Sequence, residues 1–226
     1  MAKLMRDISV FDVIGPNMIG PSSSHTAGAL RIARMTEKIA EDRIVKVKFT
    51  LYGSFARTYH GHGTDRALVG GILGYEPEDR RIRDSFRYAR EEGLEFSFET
   101  DTVTTDVHPN TVRIEAEDAS GNRLDVVGES IGGGNARLKE INGIEVDITG
   151  DLKTLIISNH DEPGVIAHVT ERLSQASINI AFMNVYRENK YDVAVIVIEV
   201  DGDIPDSLVE TIREIPAVRR VTMISL

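Results

Sequence analysis

Hydroxyl and imidazole groups crowd into one short stretch, Gly20-Pro21-Ser22-Ser23-Ser24-His25-Thr26-Ala27-Gly28, just ahead of an apolar-periodic segment. Side-chain hydroxyls and free backbone N–H groups at a helix start suit an anion, either a carboxylate or a phosphate. His25 adds a group that titrates near neutrality. The same residue types also serve as plain helix caps. A second cluster, His60-Gly61-His62-Gly63-Thr64-Asp65, holds two of the chain's six histidines within three residues. Its glycines let the backbone approach a ligand closely. A histidine at a helix start beside an acid suits general-base work. Two histidines at i and i+2 with no third ligand nearby argue weakly for a metal, and a glycine-rich turn with solvent-facing imidazoles has the same pattern. Ser130-Ile131-Gly132-Gly133-Gly134-Asn135 lacks the lysine and helix of a phosphate loop. It is a tight bend or a source of exposed N–H groups. His108-Pro109-Asn110 reads as the turn entering a strand. Asn159-His160-Asp161-Glu162-Pro163-Gly164 offers short polar side chains at a helix start, where a small zwitterion fits; a well-capped helix looks the same.

These clusters need elements to hold them. Ala29, Ile32, Ala33, Thr36, Ile39 and Ala40 share one helical face, and Val45, Val47, Phe49 and Leu51 alternate as a half-buried strand. The pattern predicts helices over 64–73 and 78–92, strands at 94–98 and 112–116, and a strand and turn leading into His60. Asn142-Gly143 between two apolar runs is a hairpin signal. From residue 152 the pattern is regular. Strands are expected at 152–158, 178–186, 191–200 and 218–226. Helices follow Pro163 and Pro205, and residues 187–190 form a turn. That order, β-α-β-β-α-β, is the ferredoxin-like plan. Of 19 glycines, only Gly164 and Gly202 lie beyond residue 150. Two domains are therefore expected, 1–150 and 151–226, in an α+β chain.

Composition narrows the function. A formal net charge of −10 excludes general affinity for nucleic acid. No apolar run approaches the ~20 residues of a membrane span, and the N-terminal residues lack a signal core, so a soluble, cytoplasmic protein is expected. The absence of cysteine rules out a thiol nucleophile and any cluster ligated by this chain's own thiolates.

Ile19-Gly20-Pro21-Ser22-Ser23-Ser24-His25-Thr26, Leu51-Tyr52-Gly53-Ser54, Gly61-His62-Gly63-Thr64-Asp65 and Ser130-Ile131-Gly132-Gly133-Gly134, in that order and spacing, resemble the β chains of iron–sulfur L-serine dehydratases. The resemblance runs from about Ser9 to Leu226. Residues 1–150 resemble the domain that accompanies the catalytic chain, related to a sensing module of some phosphoglycerate dehydrogenases; residues 151–226 resemble an ACT domain. The resemblance implies conversion of L-serine to pyruvate and ammonia, within amino-acid catabolism and gluconeogenesis. It implies a separate α chain carrying a [4Fe–4S] cluster on three cysteines, with one iron open to act as a Lewis acid on the β-hydroxyl. It makes His62 the proton acceptor, with His25 and Ser130 as further catalytic candidates. It places Ser22, Ser23, Ser24, Thr26, Thr64, Asp65 and Gly132 along the substrate. Many relatives carry a lysine or another residue in place of His60, so no role transfers to it. The ACT resemblance implies a small amino acid near Asn159, Asp161, Gly164, Asn179 and Ile180, self-association through this domain, and a possible monovalent cation. The apolar run at 193–198 points to both sheet faces, so pairing with a second copy is expected to cover the face that helices leave open. Two alternatives remain: a non-catalytic amino-acid sensor, and the regulatory part of a dehydrogenase, for which the chain has no dinucleotide fingerprint.

Overall fold

A computed structural model describes residues 17–187 and 192–226. The hydroxyl-rich stretch winds into a π-helical turn, Ser23–Ala27, which runs directly into helix α1, Gly28–Ile39. Leu30, Ile32, Ala33, Met35 and Ile39 give α1 a buried stripe. It lies on a six-stranded sheet made of β1 (Ile44–Tyr52), β2 (Glu95–Asp101), β3 (Thr111–Asp118), β4 (Arg123–Gly132), β5 (Asn135–Ile141) and β6 (Ile144–Ile148). The spatial order is β2-β1-β3-β4-β5-β6. β1 and β2 run parallel and the remaining pairs antiparallel. A parallel pair needs a crossover. Here it contains α2 (Gly53–Thr58), α3 (Thr64–Ile72), a 3₁₀ turn (Arg80–Asp84) and α4 (Ser85–Glu91). Val47, Phe49, Leu51, Val112, Ile114 and Val126 form the core under the helices. The opposite face carries ion pairs, including Lys48–Glu115 at 2.8 Å and Arg113–Asp125.

Two expectations change. Residues 53–58 form a helix where a turn was expected, because Gly53 (φ 54°) breaks the strand and Ser54 N–H donates to the Pro109 carbonyl. The expected helix over 78–92 is split at Asp84, whose φ of −115° ends the 3₁₀ turn. The Gly132-Gly133-Gly134 stretch is a bend, with all three φ positive. Asn142 (φ 51°) and Gly143 (φ 81°) make the expected hairpin turn.

The second unit runs β7 (Lys153–His160), α5 (Val165–Gln175), β8 (Asn179–Arg187), β9 (Val193–Asp201), α6 (Asp206–Arg213) and β10 (Val218–Ile224), with sheet order β10-β7-β9-β8. This is the β-α-β-β-α-β plan. Most of the turn expected at 187–190, with Tyr191, lies outside the described residues. Both helices cover one face, packing on Leu155, Ile157, Ile196 and Ile198. The other face does not wait for a second copy. Ile156, Val197 and Ile224 join the core beneath α1 of the first unit. Polar contacts fix this junction: Arg220 donates to the Ile39 carbonyl and pairs with Glu41 at 2.9 Å, while Arg31 pairs with Asp151 at 2.6 Å. The apolar surface left open lies at the sheet edge instead, where Phe182, Met183 and Val185 of β8 are exposed.

Candidate active site

Three chain segments converge at one end of the six-stranded sheet. The π-helical turn supplies His25. Its Nε2 lies 2.9 Å from the Ser54 hydroxyl at the start of α2, and its Nδ1 lies 3.1 Å from the Ser24 hydroxyl. Ser22 caps the turn, accepting from the His25 backbone N–H at 3.2 Å. The His25 ring meets Phe55 edge-on and lies 4.6 Å, centroid to centroid, from the His62 ring. Burial, and secondarily the neighbouring His62, lower the His25 pKa below the ordinary histidine value. His25 is therefore held neutral at physiological pH, with both ring nitrogens engaged.

The loop carrying His62 is tied to the same turn. Thr26 is buried, and its hydroxyl donates to the His62 carbonyl at 2.9 Å. Ser130 lies beneath: it is fully buried and donates to the Ser24 carbonyl at 2.7 Å. Both hydroxyls are committed to backbone. Through these bonds Ser130 fixes the serine-rich turn and Thr26 ties down the His62 loop, while each hydroxyl oxygen keeps lone pairs that can accept from a ligand. The Asp65 carboxylate takes His60 Nδ1 at 2.8 Å and the Arg66 N–H. His60 stacks on Tyr59 and stays exposed. Ser23 is half-buried, and Gly132 forms part of the bend that closes the β4–β5 hairpin.

Two buried polar atoms here have no hydrogen-bond partner among the described residues, His62 Nδ1 and Thr64 Oγ1. Buried groups of this kind are costly unless a ligand or water pairs with them. The Ser22 and Ser24 hydroxyls lie against the His25 ring. A cavity of about 680 Å³ borders the same turn and loop, lined by Gly20, Thr26, His60, Gly63, Arg66 and Arg83. The arrangement offers an acceptor nitrogen on His62, donors for a carboxylate and cations at the rim. Ser54, quoted in a motif but not among the candidate site residues, is the group that holds His25. Its signal was its place just after a strand, at a glycine.

The ACT-type residues fall into two groups. At one end of the second sheet, Asn159 is buried with its Oδ1 unpartnered, Asp161 pairs with Arg187 at 3.0 Å, and Gly164 (φ 98°) starts α5. At the other end, Asn179 donates to Asp201 at 2.7 Å and Ile180 packs into the second core. Asn159 lies in register with Ala194 and thus with Arg187, whereas Asn179 pairs with Asp201. Eight residues of strand, about 26 Å, separate the two ends of β8. One chain does not bring them together.

No group of three or more His, Asp or Glu among the described residues is placed to hold a metal ion, and the chain has no cysteine. These residues do not fit an iron–sulfur cluster. No helix among the described residues is long and apolar enough to cross a membrane.

Fold and site define an α+β protein with an imidazole-and-hydroxyl site on its first unit and an ACT domain as its second. The sequence model for the serine dehydratase beta chain matches residues 9–141, and that for the ACT domain residues 153–217. The L-serine dehydratase beta chain of Peptoniphilus asaccharolyticus is 42% identical over 204 residues, covering 90% of this chain and 92% of the relative. A probable L-serine dehydratase beta chain of Bacillus subtilis is 40% identical over 221 residues, covering 98% and 100%. A D-3-phosphoglycerate dehydrogenase of Methanocaldococcus jannaschii is 30% identical over 125 residues, 55% of this chain and 24% of that protein. The chain belongs to the serine dehydratase beta chain family.

Proposed function

We propose that this chain is the β subunit of a two-chain L-serine dehydratase, converting L-serine to pyruvate and ammonia with a cysteine-bearing α chain. The single observation that carries the chemistry is the unpartnered, buried His62 Nδ1 beside a His25 held neutral by its surroundings. The α-proton of an amino acid is a weak acid, so a positioned base must take it. His62 takes that proton at its free nitrogen. His25 stays neutral and fixes the geometry through Ser54 and Ser24. The Ser22, Ser23 and Ser24 hydroxyls and Thr64 Oγ1 meet the substrate carboxylate. Loss of the β-hydroxyl as water, its oxygen taking up a proton, then gives an enamine, which tautomerises to the imine and is hydrolysed by water to pyruvate and ammonia. A [4Fe–4S] cluster, which this chain's residues do not fit, belongs to the α chain in this reading. A cytoplasmic setting suits such a complex. The ACT domain regulates by binding a small amino acid, with a monovalent cation as a further candidate ligand. Two copies pair along β8, which brings Asn159, Asp161 and Gly164 of one copy beside Asn179 and Ile180 of the other.

The test is anaerobic co-expression with a candidate cysteine-bearing α chain, followed by iron and pyruvate assays. The pair turns over L-serine and the β chain alone does not. His62→Ala lowers kcat by about 10²–10⁴-fold with a smaller change in KM. Turnover by this chain alone overturns the two-chain reading. Full turnover in the His62→Ala complex moves the base elsewhere. Serine binding without any turnover by the wild-type pair supports a sensor instead.

A further inference from the structure

The second unit's sheet is not packed tight on the face that α1 covers. In β7, Leu155 and Ile157 join the core under α5 and α6, while Ile156 joins the core of the first unit. Ser158 shares the face of Ile156. Arg220 of β10 and Val195 of β9 flank Ser158, and Thr222 and Val197 flank Ile156. The end of α1 and the β5–β6 hairpin close over these rows without filling the gap between the layers. A cavity of about 350 Å³ remains there, walled by Ile39, Ile141, Ile144, Ile156 and Val195. Packed layers normally interdigitate and leave few voids larger than one water. This one has room for on the order of ten waters at about 30 Å³ each, against walls that offer them few bonds. Ser158 and Thr222 add hydroxyls, and the charged lining groups are one cation, Arg220, and one anion, Asp192. Arg220 bonds the Ile39 carbonyl and Glu41. A guanidinium has five donors, so those two bonds leave others for a ligand. Asp192 is exposed at the mouth, and its backbone carbonyl accepts from the Asp161 N–H at 2.9 Å.

We infer that this cavity between the two units binds a small aliphatic amino acid of valine or leucine size, with its side chain on the isoleucine wall, its carboxylate at Arg220 and its ammonium at Asp192. Mostly apolar walls with a few placed polar groups are the usual make-up of a small-molecule site. A zwitterion with an apolar side chain answers all three features of the lining. Serine leaves the apolar wall uncovered. An aliphatic acid brings no cation to Asp192, and an aliphatic amine brings no anion to Arg220. The site is separate from the β7–α5 loop of Asn159, Asp161 and Gly164. Asn159 shares the face of Leu155 and Ile157, under the helices, whereas the cavity lies on the opposite face of the sheet. Binding here requires neither an α chain nor turnover, so it stands or falls apart from the proposed reaction.

The test is calorimetry and thermal unfolding of the full chain with four probes: L-leucine, L-serine, 4-methylpentanoate and 3-methylbutylamine. The last two are leucine without its amino group and without its carboxylate. L-leucine binds and raises Tm, and each of the other three binds at least about tenfold more weakly. Ser158→Leu puts an apolar side chain into the cavity and abolishes L-leucine binding, while the free variant still unfolds cooperatively. Arg220→Gln and Asp192→Asn each weaken L-leucine binding by roughly 10–100-fold. Arg220→Gln also releases the end of α1; if it does not fold, Ser158→Leu and the exposed Asp192→Asn decide the matter. Asp161→Ala, at the loop beyond the other face, changes L-leucine affinity by less than about threefold. No response to L-leucine at about 10 mM, or L-serine bound as tightly as L-leucine, overturns the assignment. So does L-leucine binding that survives Ser158→Leu, or that is lost in Asp161→Ala.

Discussion

Adding one methyl group at Gly28 tests whether the hydroxyl-rich turn is held from below as the structure shows. Gly28 begins α1 with ordinary helical φ and ψ, so alanine fits its backbone and gains helix propensity of at most about 1 kcal/mol. Space decides against it. An added Cβ would lie 2.0 Å from Ser130 Oγ, 2.7 Å from Ser130 Cβ and 3.4 Å from the Asn135 carbonyl. Ser130 is fully buried and cannot swing into solvent. Overpacking of this kind costs about 1–3 kcal/mol. Breaking the Ser130–Ser24 bond strands a buried hydroxyl at about 1–3 kcal/mol more. The net loss for Gly28→Ala is about 1–5 kcal/mol, a fall in Tm of roughly 2–20 °C at this chain length. Thermal unfolding by circular dichroism reads this directly. Ser130→Gly in the same background removes both clashing atoms and recovers about half of the loss, so the pair is strongly coupled in a double-mutant cycle. A Tm within about 1 °C of wild type, or additive effects of the two changes, refutes this account of how the turn is supported.

Two further outcomes can be checked on the whole chain. Burial lowers the His25 pKa first and His62 second, so the proton-dependent NMR shift of the His25 ring has its midpoint below 6.5, and His62→Gln moves that midpoint upward. The sign for stability follows: below 6.5 the unfolded chain binds a proton that the folded His25 refuses, so stability falls as pH drops from 6.5 toward the folded pKa and is flat with respect to this group above it; a His25 midpoint above 6.5 contradicts the site's electrostatics. Phe182→Asp puts a charge on the exposed β8 edge and abolishes any self-association seen by sedimentation of the full chain, whereas Asn179→Ala leaves the oligomer intact but removes its response to a small amino acid; an oligomer indifferent to Phe182→Asp shows that pairing uses another surface.

Local pattern carried much of this architecture. The alternation at 45–51, the hairpin at Asn142-Gly143 and the β-α-β-β-α-β order are short-range signals, since face periodicity and turn chemistry act over a few residues. The clustering of His25 with three serines and of His62 with glycines was legible for the same reason: each cluster lies within one loop. What the sequence left open depends on distances between segments far apart in the chain. His25 meets Ser54 and His62 only because the parallel β1–β2 crossover folds α2 and α3 back over the sheet end. Whether a hydroxyl proton is free or spent is a matter of its tertiary neighbours: those of Ser130 and Thr26 go to backbone carbonyls. Asp65 turned to His60 through the geometry of one helix start. The second sheet's open face likewise found its cover in α1, more than a hundred residues earlier, where Arg220 reaches the Ile39 carbonyl. Residue type fixes what chemistry is available; burial and hydrogen-bond partners, which only packing decides, fix which groups remain to do it.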